Sequence, residues 1–280
     1  MFSNLKPFFI ISLGTFFVIS SCGKKDDSPN PNEVKKEYII KLTTQQNTYI
    51  PKDRTETGIA SLKIYADNNV EFSIKVSGLQ AGDVLTNVDI QEGTILDNFF
   101  KYKNLVNGST IKFQADSVKA KVQLYQFEVD SLIKSPNKFN ITVYSQKAPN
   151  GLLRGFFDKE LAFGADIPLS SRNINPKIDR TDSAYVRLRV TQDNKLYSEI
   201  KVVKLLNGDV LQTTKIQEGD RFTNNGNTVL TIASQPSDYE VLKVLSISSS
   251  DLEKLKTQTL YVNTTSAFMP VPGLMRGQLR

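Results

Sequence analysis

Downstream of Cys22 this sequence offers neither an imidazole nor a thiol for chemistry. Its 280 residues include no histidine, no tryptophan and one cysteine. Ser-His-Asp and Cys-His nucleophilic sites need an imidazole base. Zinc and copper sites are normally built from His and Cys. Both classes are excluded. A two-carboxylate hydrolase remains formally open, with Asp83, Asp89 and Glu92 as its acids. However, Lys215 stands where a second copy of Asp89 belongs, so these acids read as solvated or structural and the chain as non-catalytic. Calcium needs clustered oxygen ligands, and no Asp-x-Asp-x-Asp loop occurs; no metal and no cofactor is expected. Two polar pairs recur, Glu92 with Arg154 and Glu218 with Arg276. Each is either half of a polar binding site or a structural ion pair, and the structural role is favoured. Phe99, Phe100 and Tyr102 form a local aromatic cluster that could stack on a sugar ring or pack into a core.

Cys22 has its own chemistry. An apolar run from Phe8 to Ile19 follows Lys6. It is too short to span a hydrocarbon core of roughly 30 Å and has the length of a signal-peptide hydrophobic region. The run ends in Ile19-Ser20-Ser21-Cys22, which resembles the lipobox of bacterial lipoproteins. That resemblance implies a signal peptide at 1–21 and a lipid-bearing Cys22, hence a membrane partner without a transmembrane helix. Residues 22–36 are polar and Pro-broken and read as a flexible tether. Within them, Lys24-Lys25-Asp26-Asp27 resembles the surface-export signal of Bacteroidota lipoproteins. The expected location is the outer membrane facing the cell exterior, with the periplasmic face as the alternative.

These residues must be held by something, and the chain writes it twice. Residues 59–93 align without a gap on 185–219, and 15 of 35 positions are identical. Gly82-Asp83-Val84-Leu85 returns as Gly208-Asp209-Val210-Leu211, and Ile90-Gln91-Glu92-Gly93 as Ile216-Gln217-Glu218-Gly219. A period above 100 residues means two domains, since solenoid units run to about 20–50. Val70, Phe72, Ile74 and Val76 alternate with polar residues, as do Val186, Leu188 and Val190 with Arg187 and Arg189. Period two marks half-buried antiparallel strands, and Asn/Asp/Gly clusters mark the hairpins between them. Further strands are expected at 37–44, 110–115, 120–128, 139–146 and 151–157, and at 228–233, 240–247, 259–265 and 273–279. Each unit is expected to hold at most one short helix: Ser250 and Glu253 have capping-box spacing, and Asp130-Ser131 would start the counterpart.

The fold class is therefore all-β: two tandem antiparallel β-sandwich or barrel-like domains of Greek-key type, at 37–164 and 183–280. Residues 165–182 hold two prolines and no periodicity, and read as a linker long enough to let the domains move.

Both units close alike. Leu260-Tyr261-Val262-Asn263 precedes Gly273-Leu274-Met275-Arg276-Gly277-Gln278-Leu279, and Phe139 to Tyr144 precedes Gly151-Leu152-Leu153-Arg154-Gly155. This resembles the chordin-type CHRD domain, which ends on Tyr-Val-Asn-Val-His-Thr, a Pro/Gly loop and Gly-Glu-Ile-Arg-Gly-Gln-Leu. The family's His-Ile-His strand reads Asp89-Ile90-Gln91 and Lys215-Ile216-Gln217 here, and its Glu is Leu152 and Leu274. The resemblance implies an extracellular, non-catalytic binding or structural module, without the polar cluster a metal would use. The expected partner is an extracellular protein or a glycan. No basic run with interleaved aromatics points to nucleic acid.

Overall fold

A computed structural model describes residues 30–279, except for the side chains of Asn98 and Phe99. The expected signal peptide, Cys22 and the expected tether up to residue 29 lie outside the described residues. The first unit runs β1 (Val34–Thr43), β2 (Thr57–Tyr65), β3 (Asn69–Ser77), β4 (Leu85–Gly93), β5 (Asn98–Val106), β6 (Ser117–Gln123), α1 (Gln126–Lys134), β7 (Phe139–Ser145) and β8 (Leu153–Phe156). The second runs β9 (Leu161–Ser170), β10 (Ser183–Thr191), β11 (Lys195–Lys204), β12 (Leu211–Glu218), β13 (Thr228–Ala233), β14 (Lys243–Ser246), α2 (Ser249–Thr257), β15 (Leu260–Ser266) and β16 (Met275–Gln278).

The two units share one topology. The strand orders are β5-β4-β7-β8-β1-β2-β3-β6 and β13-β12-β15-β16-β9-β10-β11-β14. Each eight-stranded sheet folds over itself into two four-stranded layers. The layers join at one residue pair, Thr43 with Arg154 in the first sandwich and Ser170 with Arg276 in the second. Period-two patterning fills the space between the layers. Ile40, Leu42, Leu62, Ile64, Phe72 and Ile74 are buried in the first core, and Val186, Leu188, Val190, Leu196 and Ile216 in the second. Each such side chain contributes about 1.5–3 kcal/mol relative to exposure. The β2–β3 and β10–β11 hairpins turn on Asn68 and Asn194, at φ +63° and +61°, a left-handed conformation that Asn tolerates.

The linker expected at 165–182 is not a linker. Residues 161–170 are β9, paired along its length with β10. Pro168 and Asp166 disguise it, because they sit on the outward side of a strand whose inward residues, Phe163, Ile167 and Leu169, are buried. Pro is tolerated where a strand lacks a neighbour on one side, and β9 meets β16 only at Ser170. The units are thus joined between Phe156 and Leu161. At the other end β1 begins at Val34, inside the expected tether.

Residues 110–115 form no strand, only a bridge from Gln114 to Ser117. The missing strand is β5, whose pairing with β4 shifts register three times and so hides any clean alternation. The α2 cap is Ser248 with Asp251 rather than Ser250 with Glu253, and α1 starts at Gln126 rather than near Asp130.

Candidate functional site at the joint between the sandwiches

Strand parity decides the fate of the Glu/Arg pairs. On β4, Glu92 stands opposite Phe139, a core residue. Arg154 on β8 stands opposite Thr142, on the outer face of the same layer. Glu218 opposite Leu260 and Arg276 opposite Asn263 repeat the split. The two members of each pair lie on opposite faces of a sheet and do not meet. Glu218 instead takes Lys254 of α2 at 3.2 Å and Asn227 at 3.0 Å.

Each arginine ties down a loop at the corner where the layers join. Arg154 donates to the backbone carbonyls of Thr94 (2.7 Å), Ile95 (3.2 Å), Asp97 (3.3 Å) and Gln46 (3.4 Å). Arg276 donates to the carbonyls of Thr223 (2.9 Å), Pro272 (2.9 Å) and Arg221 (3.4 Å) and to Asn224 Oδ1 (3.1 Å). The flanking glycines follow from this crowding. A Cβ on Gly155 or Gly277 would collide with the carbonyl of Lys41 or Pro168 on the neighbouring strand. Gly151 and Gly273 hold φ near +123° and +118°. The repeated Gly-Leu-x-Arg-Gly phrase is a corner-forming device, and Leu152 and Leu274 are its core plugs. One difference separates the copies: Arg276 Nε donates to Asn263 Oδ1 at 3.1 Å, whereas Arg154 Nε, facing Thr142, has no partner. Burial, and then the Arg189 charge, lower the Arg154 pKa.

A second device also occurs twice. Arg54 bridges Glu56 (2.8 Å) and Asp83 (2.6 Å), and Asp83 accepts from Ser145 Oγ (2.7 Å), Val84 N (2.9 Å) and Lys147 N (3.1 Å). Arg180 bridges Asp182 (2.6 Å) and Asp209 (2.7 Å), and Asp209 accepts from Ser266 Oγ (2.8 Å), Val210 N (2.9 Å) and Phe268 N (3.2 Å). Burial alone would raise Asp83, but Ser145, Arg54 and the backbone donors outweigh it and hold the carboxyl at about 2. Asp83 is thus a structural anion. A signal for this network was present: Asp-Arg-Thr occurs at 53–55 and again at 179–181.

Asp89 also has partners, Asn104 Nδ2 at 2.7 Å and Lys101 Nζ at 3.3 Å. Beside it Gln91 donates to the Tyr144 hydroxyl at 2.7 Å and accepts from Thr142 at 2.9 Å. Burial and then the Asp89 charge push the Tyr144 hydroxyl well above the usual phenol range.

Of the aromatic cluster, Phe100 and Tyr102 take different surroundings. Tyr102 packs on Phe139 with centroids 4.7 Å apart, while Phe100 is exposed. The Phe99 side chain lies outside the described residues.

A further polar assembly, at the joint, was not expected from the sequence. Arg187 and Arg189 alternate with core residues on β10, a pattern that predicts an exposed charged face. Both are completely buried, because the outer face of β10 is covered by the first sandwich. Arg187 pairs with Glu199 on β11 and reaches across to Leu96 O (2.8 Å) and Asp97 Oδ1 (3.1 Å). Arg189 pairs with Asp166 on β9 (2.7 Å) and donates to the carbonyls of Asn47 and Thr48 (3.3 Å). Asp166 in turn accepts from Ile50 N at 2.7 Å. Ile95, Leu96, Phe156 and Leu161 form an apolar cluster beside them. The counterparts of the two arginines in the first sandwich are Ser61 and Lys63. Along the joint runs an open cleft of about 920 Å³, lined by residues that include Lys52, Asp53, Glu56, Asp166 and Tyr185.

Residues 38–157 match the CHRD domain. The match runs from β1 to one residue past β8 and so covers the first sandwich. No curated protein and no solved structure matches the chain.

Proposed function

We propose that this CHRD-domain protein is an outer-membrane lipoprotein, attached through Cys22, whose two sandwiches form one non-catalytic binding or structural module facing the cell exterior. We further propose that the second sandwich is a divergent copy of the first, on the strength of their common strand order and closing motif. The observation that carries the reading is the joint. Asp83, Arg154, Arg187 and Arg189 are engaged in holding loops and domains together, and Asp89 is paired across β4 and β5. Such a body offers surface rather than a reaction centre, as a module for binding or spacing does. Protease shaving of intact cells tests it. Digestion of the chain on whole cells, lost for the Cys22→Ala protein released from the membrane, is the expected result. Survival until the outer membrane is opened would move the module to the periplasmic face.

A second reading, glycan capture for a nutrient-uptake system, is favoured by the cleft at the joint, where Tyr185 lies 6.5 Å from the exposed Tyr49 ring. Saturable sugar binding on an array, lost in Tyr49→Ala and kept in Tyr102→Ala, would establish it. No binding to any glycan would reject it.

A further inference from the structure

The helices α1 and α2 occupy the same place in the two sandwiches but begin differently. Ser248 caps α2, its Oγ accepting from Asp251 N at 3.0 Å. The corresponding residue of α1 is Tyr125, which makes no side-chain cap hydrogen bond. Ser is among the preferred N-cap residues, and losing such a cap costs about 1 kcal/mol. Two residues on, Ser250 corresponds to Phe127. Tyr125 and Phe127 are 68% and 65% exposed. Their rings stack at 5.7 Å with an interplanar angle of 8°. Among the described residues no other ring pair has both members exposed. The first sandwich therefore lacks the Ser half of the cap, keeping only the bond from Tyr125 N to Glu128 at 2.7 Å, and exposes two large aromatic rings, with Lys103 Nζ 5.5 Å from the Tyr125 centroid.

Their location indicates what covers them. Lys35, at the start of β1, donates to Asn68 Oδ1 at 3.3 Å, and Asn68 donates to Gln126 of α1 at 2.9 Å. The ring pair thus sits at the end of the molecule where the chain enters, opposite the end of β1 that meets the second sandwich. Cys22 is eight residues before Asn30, a reach of at most about 28 Å when fully extended. With Cys22 in a bilayer, this end of the protein is held within a few nanometres of the lipid surface. Tyr and other amphipathic rings settle at the headgroup level. The patch is not a basic one, since Lys35, Lys103 and Lys134 are offset by Glu33, Glu128 and Asp130.

We propose that Tyr125 and Phe127 insert into the headgroup region of the membrane that holds Cys22, forming a second, non-covalent contact that sets the standing orientation of the module. This rests on the lipoprotein reading. Because apolar insertion drives it, the contact depends little on salt or on anionic lipid.

The chain has no tryptophan, so one indole introduced by Phe127→Trp is a clean reporter. The lipidated chain is placed in phosphatidylethanolamine–phosphatidylglycerol vesicles carrying brominated acyl chains. Quenching of this indole well above that of one introduced by Phe222→Trp, an exposed position of the second sandwich, supports the contact. Equal or absent quenching on vesicle-bound protein overturns it, as does protection that grows with protein concentration, which would signify a second copy instead. If the chain does not bind vesicles through Cys22, the lipoprotein reading fails on its own. The patch is then judged by co-sedimentation of the Cys22→Ser chain. A loss of roughly tenfold in partitioning on Tyr125→Ser with Phe127→Ser sustains it, and no change overturns it. The double change restores the Ser cap seen on α2, so unfolding does not confound the result.

Discussion

The two sandwiches place different residues on the same strand positions, and the difference shows where the molecule is joined. On β2 the outward positions are Ser61 and Lys63, and Lys63 makes only a loose, exposed pair with Glu37 at 3.5 Å. On β10 the same positions are Arg187 and Arg189, buried against carboxylates of their own sheet and carbonyls of the neighbouring domain. One sheet face is left to solvent and the other is glued down. Arginine suits the second task because its planar fork can satisfy a carboxylate and backbone carbonyls at once.

The largest effect is expected from breaking the glued face. Arg187→Ala leaves Glu199 buried without its main partner, and loss of one member of a buried pair costs about 3–5 kcal/mol. Lys63→Ala, on the free face, should stay within about 0.5 kcal/mol. Denaturant titration of both proteins checks the contrast, and equal effects would refute it.

Next come the corners. Gly155→Ala and Gly277→Ala force a methyl group onto a neighbouring carbonyl, and such overpacking typically costs about 1–3 kcal/mol. Both sandwiches should suffer alike, because both corners are built alike. A tolerated Gly155→Ala beside a damaging Gly277→Ala would show that the first corner relaxes where the second does not.

The buried networks predict a pH dependence of similar size. Asp83 is held at about 2, below an ordinary 3.8, so it stabilises the fold above the unfolded value. That contribution is lost as pH falls through the folded value. The difference amounts to about 2 kcal/mol. Asp83→Asn should be less stable at neutral pH and should flatten the loss of stability between about pH 4 and 2, as read by denaturant midpoints over that range. An unchanged acid limb would show that Asp83 is not held this way.

The smallest effect sharpens the parity argument. Glu218 and Arg276 lie on opposite sheet faces, so a double-mutant cycle of Glu218→Gln with Arg276→Lys should show no coupling. Measurable coupling would mean that the two charges communicate after all.

Much of this was legible in the sequence. Alternation on β2, β3 and β10 and the ungapped repeat gave the all-β class and the doubling, because period-two burial is a local property. The misread parts depend on what lies across from a strand. Pro168 and Asp166 read as a linker, since nothing local tells that β10 covers one edge of β9. Arg187 and Arg189 read as a solvated face, since the covering surface comes from residues 47–50 and 94–97 of the other unit. Glu92 and Arg154 looked like a pair because both recur, and recurrence does not reveal which face each residue takes. Comparing the copies held the missing signal: Ser61 and Lys63 becoming two arginines marks a change of environment.

Calorimetry of the chain from Cys22 onward, beside a variant carrying Arg187→Ser and Arg189→Lys, tests the central claim that the joint makes one body of two domains. Those changes write the first sandwich's own residues into the second. The joint predicts a single cooperative transition for the native chain and two separated transitions for the variant. Two transitions in the native chain, or one unchanged transition in the variant, would contradict it.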